Sequence, residues 1–119
     1  MTLRKYSGRL KEPKFLIRRI HGDSMLPTLP PGKVIIATSF FYKIIPGNIY
    51  VFKHDGLEKI KRAVRVEGSS VYFLGDNLDH STDSRHFGWI SQDKIIAKQL
   101  KPRLQYAGTG WLRKQLTRR

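Results

Sequence analysis

Turn-forming residues interrupt this sequence at short intervals, and that spacing restricts the chain to short extended segments. Pro30-Pro31-Gly32, Pro46-Gly47-Asn48, Asp55-Gly56 and Gly68-Ser69 mark turns roughly every ten residues. Between and beyond them lie segments predicted as strands: Lys14 to Ile20, Lys33 to Thr38, Ile49 to Lys53, Leu57 to Val66 and Val71 to Leu74. Gly88 to Ile90 and Lys94 to Leu100 complete the set. Asp55-Gly56, between Phe52 and Leu57, is the strongest local signal, because both central positions of a two-residue hairpin favour positive φ. Residues 75–86 are polar and aperiodic, which predicts a loop. Phe40 to Ile45 reads either as a core strand or as an apolar surface segment. Trp111, Leu112, Gln115 and Leu116 fall near helical spacing, so a short helix is expected over Thr109 to Arg119. The expected fold class is all-β, a barrel or sandwich of short antiparallel strands.

A chain of 119 residues suits one domain and can bury a core without covalent staples. It has no cysteine, which excludes a disulfide scaffold, a thiol nucleophile and a thiolate metal site. The net charge of +14 first suggests nucleic acid or anionic lipid. Its distribution narrows that reading. Residues 1–20 carry +6 and residues 98–119 carry +7, which leaves +1 for the middle. The expected organisation is a basic arm (1–13), a catalytic body (14–100) and a basic tail (101–119). No apolar run approaches the roughly 20 residues of a spanning helix. The basic start has no long apolar stretch behind it, so no signal peptide is expected. The expected location is cytoplasmic or peripheral to a membrane.

Three segments carry residues suited to chemistry. In His21-Gly22-Asp23-Ser24-Met25-Leu26-Pro27-Thr28-Leu29, a serine follows a strand and a glycine, on a bend that could expose its hydroxyl. Read without other information, this is more often a polar loop. In Glu58-Lys59-Ile60-Lys61-Arg62-Ala63-Val64, strand alternation puts Lys59, Lys61 and Ala63 on one face. The bland reading is a lysine whose stem packs while its ammonium reaches water. The third segment, Gly75 to Arg85, is rich in Asp but lacks the closing Glu of a calcium loop. His21, His54, His80 and His86 show no ligand spacing, so neither metal nor cofactor is expected.

Taken together, the three segments resemble the successive boxes of type I signal peptidases, in the same order. The matching residues are Gly22-Asp23-Ser24-Met25-x-Pro27-Thr28-Leu29, then Lys61-Arg62-Ala63-Val64, then Gly75-Asp76-Asn77-x-Asp79-x-Ser81-x-Asp83-Ser84-Arg85. The resemblance covers residues 15–98 and implies a serine endopeptidase with a Ser–Lys dyad on an all-β catalytic fold. Ser24 would be the nucleophile and Lys61 its general base. A serine hydroxyl needs an adjacent base, and a lysine serves only if burial brings its pKa of about 10.4 down by several units. Arginine cannot replace it, because arginine stays charged. Lys59 is expected to be dispensable for the chemistry. By the resemblance, Ser81 would orient Lys61, and Asp83 and Arg85 would brace the site as a bidentate pair. The backbone N–H of Ser24 would stabilise the oxyanion beside Met25. Some family members add a serine hydroxyl two positions before the nucleophile. Gly22 occupies that position here, and a lost donor costs about 3–4 kcal/mol unless replaced. Leu78 and His80 depart from the family's more usual Arg and Asn.

The expected partner is a precursor polypeptide, bound as an extended strand at a sheet edge beside Ser24. The small unanchored members, including those that remove the leader of nickel-type superoxide dismutase, are similar in length. A minimal signal peptidase docked peripherally on anionic membrane through its basic ends is the second form. LexA-type repressors use a related Ser–Lys domain, but the 23 residues before Ser24 leave no room for their DNA-binding domain and cleavage site. Ala107-Gly108 resembles their cleavage dipeptide but follows the boxes. A non-enzymatic nucleic-acid module explains the charge and not the boxes, so no nucleic acid is expected.

Overall fold

The computed structural model describes residues 14–101. Seven strands form: β1 (Phe15–Arg19), β2 (Val34–Thr38), β3 (Ile49–His54), β4 (Leu57–Glu67), β5 (Ser70–Leu74), β6 (Ile90–Ser91) and β7 (Ile95–Gln99). They make one sheet in the order β1-β2-β7-β3-β4-β5-β6, and every adjacent pair is antiparallel. The all-β expectation holds. Asp55 and Gly56 have φ of 53° and 77°. That turn sends β3 directly back as β4, with Tyr50 opposite Lys61 and Val51 opposite Ile60.

β3 lies inside the sheet, and Ile49, Tyr50, Val51 and Phe52 are all buried. Alternation then divides the core between the two faces. Tyr50 and Phe52 join Ala63, Val71, Phe73 and Ile95, and the Phe52 ring stacks on Phe73 at 4.1 Å. Ile49 packs with Ile20, Met25, Leu29 and Ile35, while Val51 meets Ala37 and Ala97.

The sheet is rolled. Arg18 on β1 and Glu58 on β4 form an ion pair at 2.7 Å. The two strands are four steps apart in the sheet order, which in a flat sheet is about 19 Å. An arginine and a glutamate cannot bridge that gap, so β1 must curl round to face β4. Irregularities between Ala63 and Arg65 on β4, and between Val51 and Phe52 on β3, fit such a roll, since bulges increase local twist.

Two segments differ from expectation. Residues 75–86 are not a plain loop. They contain a 3-10 turn at Leu78–His80 and a single helical turn, α1 (Ser84–Phe87). Asp83 caps α1 by accepting the Arg85 N–H, and His86 Nδ1 accepts the Asp83 N–H in return. A helix of four residues is too short to leave a period in the sequence. Residues 40–45 form no strand. Phe41 and Ile44 insert into the larger cluster, while Phe40, Tyr42 and Ile45 stay exposed. The expected basic arm, the tail beyond residue 101 and the helix over 109–119 lie outside the described residues. Among the described residues, no helix is long and apolar enough to cross a membrane.

Candidate active site

β4 supplies the buried amine. Lys59 and Lys61 stand opposite Phe52 and Tyr50, so both belong to the face of those rings. Lys59 remains half-buried, with its ammonium 5.8 Å from the centre of the Phe87 ring. Lys61 is only 7% exposed. Burial holds its pKa below the ordinary lysine value, the Lys59 charge adds to that depression, and Asp83 opposes it.

The bend after β1 supplies the hydroxyl. The Ile20 N–H donates to the Lys33 carbonyl and the Gly32 N–H to the Ile20 carbonyl, each at 2.8 Å, which closes the base of the 21–31 excursion. Met25 and Leu29 are buried with Ile20 and anchor the bend, and the Leu29 N–H donates to the Met25 carbonyl. Gly22 has φ 79°, a backbone state that a serine there would adopt only with strain. Ser24 emerges from this anchored bend with its Oγ hydrogen-bonded to Lys61 Nζ at 2.8 Å. Its backbone N–H has no acceptor among the described residues.

The third segment clamps both. The Asn77 N–H donates to the Ser24 carbonyl at 2.9 Å, and Asn77 Nδ2 donates to the Asp23 carbonyl at 3.0 Å. Asp76 accepts the Thr28 hydroxyl at 2.5 Å and a two-point contact from Arg62 at 2.8 and 2.6 Å. Asp83 is fully buried and collects donors from several sides. The Gly75 N–H reaches it at 2.9 Å, the Ser81 hydroxyl at 2.8 Å and Arg85 Nε at 2.8 Å. Burial alone would raise the Asp83 pKa. The hydrogen bonds from Arg85, Gly75 and Ser81 outweigh it and hold the carboxyl at about 2.

A groove of about 480 Å³ runs between β1 and β4, and Ser24 and Lys61 lie in its lining. The Arg18–Glu58 pair links its two walls. β1 is an outer strand of the sheet, and β4 pairs with β5 only from Arg62 onward. Both walls therefore present an unpaired backbone edge within the described sheet.

A part-buried serine–lysine contact in a rolled antiparallel sheet accompanies a direct sequence match. The family model described as peptidase S24-like matches residues 3–99. The chain belongs to the peptidase S24-like family. This S24-like chain is 23% identical to signal peptidase I of Bacillus caldolyticus, over 66% of its own length and 74% of that protein's. It is 34% identical to the mitochondrial ATP-independent inner membrane protease subunit 1a of Arabidopsis thaliana, over 68% of its own length and 66% of that relative's. It is 26% identical to the repressor protein CI of Enterobacteria phage phi80, over 69% of its own length but 35% of the repressor's. The family and the two peptidase relatives support a serine-peptidase type of function. The CI match extends the sequence likeness to a protein named as a repressor.

Of the residues singled out in the sequence, Ser24, Lys61, Met25, Gly22, Ser81, Asp83 and Arg85 fall in one connected region. One contact differs. Ser81 was expected to orient Lys61, whereas its hydroxyl donates to Asp83 Oδ2 and the hydrogen bond of Lys61 is to Ser24. A fully buried carboxylate has the stronger demand for donors. Arg85 braces Asp83 side-on and also donates to the Leu78 carbonyl at 2.7 Å. The roles of Thr28, Arg62, Gly75, Asp76 and Asn77 as clamps were not foreseen, although each belongs to the quoted boxes. Their signal was their adjacency to Ser24, Lys61 and Asp83. Among the described residues, no group of three or more His, Cys, Asp or Glu side chains is placed to hold a metal ion.

Proposed function

We propose that this chain is a serine endopeptidase in which Ser24 is the nucleophile and Lys61 the general base. The 2.8 Å contact between Lys61 Nζ and Ser24 Oγ carries the reading, because the same lysine is buried and its pKa is lowered. The neutral amine takes the hydroxyl proton as Oγ bonds to the scissile carbonyl carbon. The resulting ammonium gives that proton to the leaving amine as the C–N bond breaks. The freed amine then takes a proton from water as it attacks the acyl-enzyme ester, and returns that proton to Ser24 Oγ as the ester C–O bond breaks, which restores both groups. The Ser24 N–H is a donor for the oxyanion. Gly22 and Met25 shape and anchor the bend that presents it. Asp83, Ser81 and Arg85 keep the third segment against the dyad.

The substrate is an extended peptide added as a strand between β1 and the Leu57–Lys61 portion of β4. Its biological form is a precursor from which an N-terminal leader is removed, by a soluble or peripheral maturation protease. The nickel-type superoxide dismutase precursor is the specific candidate suggested by the sequence resemblance. Incubating that precursor with the protein and sequencing the new N-terminus tests this. Leader removal that Ser24→Ala abolishes supports the reading. An intact leader, when other peptides are cut, removes this substrate and leaves the peptidase.

A membrane-associated signal peptidase is the second form, and one observation favours it. Phe15, Ile17, Val34 and Ile36 are exposed, and Ile17 stands opposite Ile36. Their shared face also carries Arg19, opposite Val34, and Thr38, opposite Phe15, and the flanking chain is basic. Co-sedimentation with anionic but not neutral vesicles is the expected result for that form.

A further inference from the structure

We infer that the groove is built to take an acidic peptide segment, selected by Arg19 and Lys59 from opposite walls. This rests on the peptidase reading above and names the substrate chemistry of the same site.

The groove lining holds Arg18, Arg19, Lys59 and Lys61 against one carboxylate, Glu58. That carboxylate is already taken. Arg18 donates to both of its oxygens at 2.7 and 2.9 Å, and this hydrogen bonding lowers the Glu58 pKa. Lys61 is engaged with Ser24 Oγ at 2.8 Å, and burial lowers its pKa. Two cations are left. Arg19 is exposed and donates to the Gly32 carbonyl at 2.9 Å, with no carboxylate partner among the described residues. Lys59 is partnered by the Phe87 ring at 5.8 Å and likewise meets no carboxylate among the described residues. The groove therefore carries a net positive field with no internal counter-charge to spend on it.

Position relates that field to the scissile bond. Lys59 precedes Lys61 by two residues on the same strand face, about 7 Å away. An extended substrate passing Lys61 puts side chains within two or three residues of the cut near Lys59. Arg19 faces the same space from the β1 side. An Asp or Glu at these substrate positions gains one or two exposed ion pairs, and a Lys there meets repulsion. Such contacts weaken as salt rises.

The test uses matched peptides sharing one cut site, with Asp, Asn or Lys at each of the three positions on either side. Cleavage is measured with the full chain. Binding of the same peptides is measured with Ser24→Ala. The Asp peptide should exceed the Lys peptide by about tenfold in kcat/KM and in affinity at low salt. The ratio should fall to about twofold at 0.5 M salt. Arg19→Glu should reduce the ratio, and Arg19→Glu with Lys59→Glu should invert it. An unchanged ratio in these variants, with cleavage still dependent on Ser24, overturns the inference and leaves the peptidase reading standing. Charge-selective binding without Ser24-dependent cleavage of any peptide overturns the peptidase reading and supports the groove's selectivity.

Discussion

Gly75 lies so close to Ser24 that a Cβ built on it would stand 2.6 Å from the Ser24 carbonyl oxygen and overlap the Ser81 side chain. The backbone of the third segment is thus pressed against the bend that carries Ser24, the proposed nucleophile. Gly75→Ala should force that interface apart. The expected cost is about 1–3 kcal/mol in stability, with a fall in kcat larger than any rise in KM. Denaturant unfolding together with steady-state kinetics checks both halves.

Lys59 and Asp83 act on the Lys61 pKa with opposite signs. In the proposed mechanism cleavage requires neutral Lys61, so the rate should rise as pH passes its pKa. Lys59→Gln removes a positive neighbour, raises that pKa and should move the acid limb of the rate profile to higher pH. Asp83→Asn removes a negative neighbour and should move it to lower pH in the folded fraction. Lys59 would thus set the pH at which Lys61 works while remaining dispensable for the chemical step itself. A pH series of kcat/KM for the three proteins measures the shifts.

Asp83 also links pH to stability. Hydrogen bonds to the folded carboxylate hold its pKa at about 2, below the ordinary aspartate value of about 3.9. A depressed carboxylate contributes stability that is complete above the unfolded pKa and disappears as pH falls through the folded one. The contribution is about 2 kcal/mol. It should be present above about pH 5 and lost progressively toward pH 2. Asp83→Asn should show a flatter stability curve over the same range. Urea midpoints measured across this interval distinguish the two proteins.

Thr28 and Arg62 meet on Asp76, which ties the Ser24 bend to β4. Thr28→Val should cost about 1 kcal/mol. Thr28→Val and Asp76→Asn should be non-additive, because they share one hydrogen bond. Unfolding free energies of the two single variants and the double variant give the coupling.

Much of this molecule could be read from its residues, for identifiable reasons. The seven strands were legible because turn formers bound each one and β-branched residues fill the intervals. Asp55-Gly56 could be placed in a hairpin from chemistry alone, since both positions take positive φ. Lys61 could be put on the face of Ala63 by alternation. Its burial could not, because it depends on how the sheet rolls. The Ser81–Asp83 contact was missed because the need of a buried carboxylate for donors appears only once its burial is known. Residues 40–45 could not be resolved from sequence for a similar reason. Their apolar content leaves a core strand and a surface segment equally open, while the core takes only Phe41 and Ile44 and leaves Phe40, Tyr42 and Ile45 exposed.

The central claim is that Lys61 acts as a neutral amine on Ser24 Oγ, 2.8 Å away. Lys61→Arg tests it most directly, since arginine keeps the positive charge and the donors but does not lose its proton near neutral pH. With the fold verified by circular dichroism, the account predicts no Ser24-dependent peptide cleavage by Lys61→Arg at any pH between 6 and 9. Cleavage at the wild-type rate would contradict it.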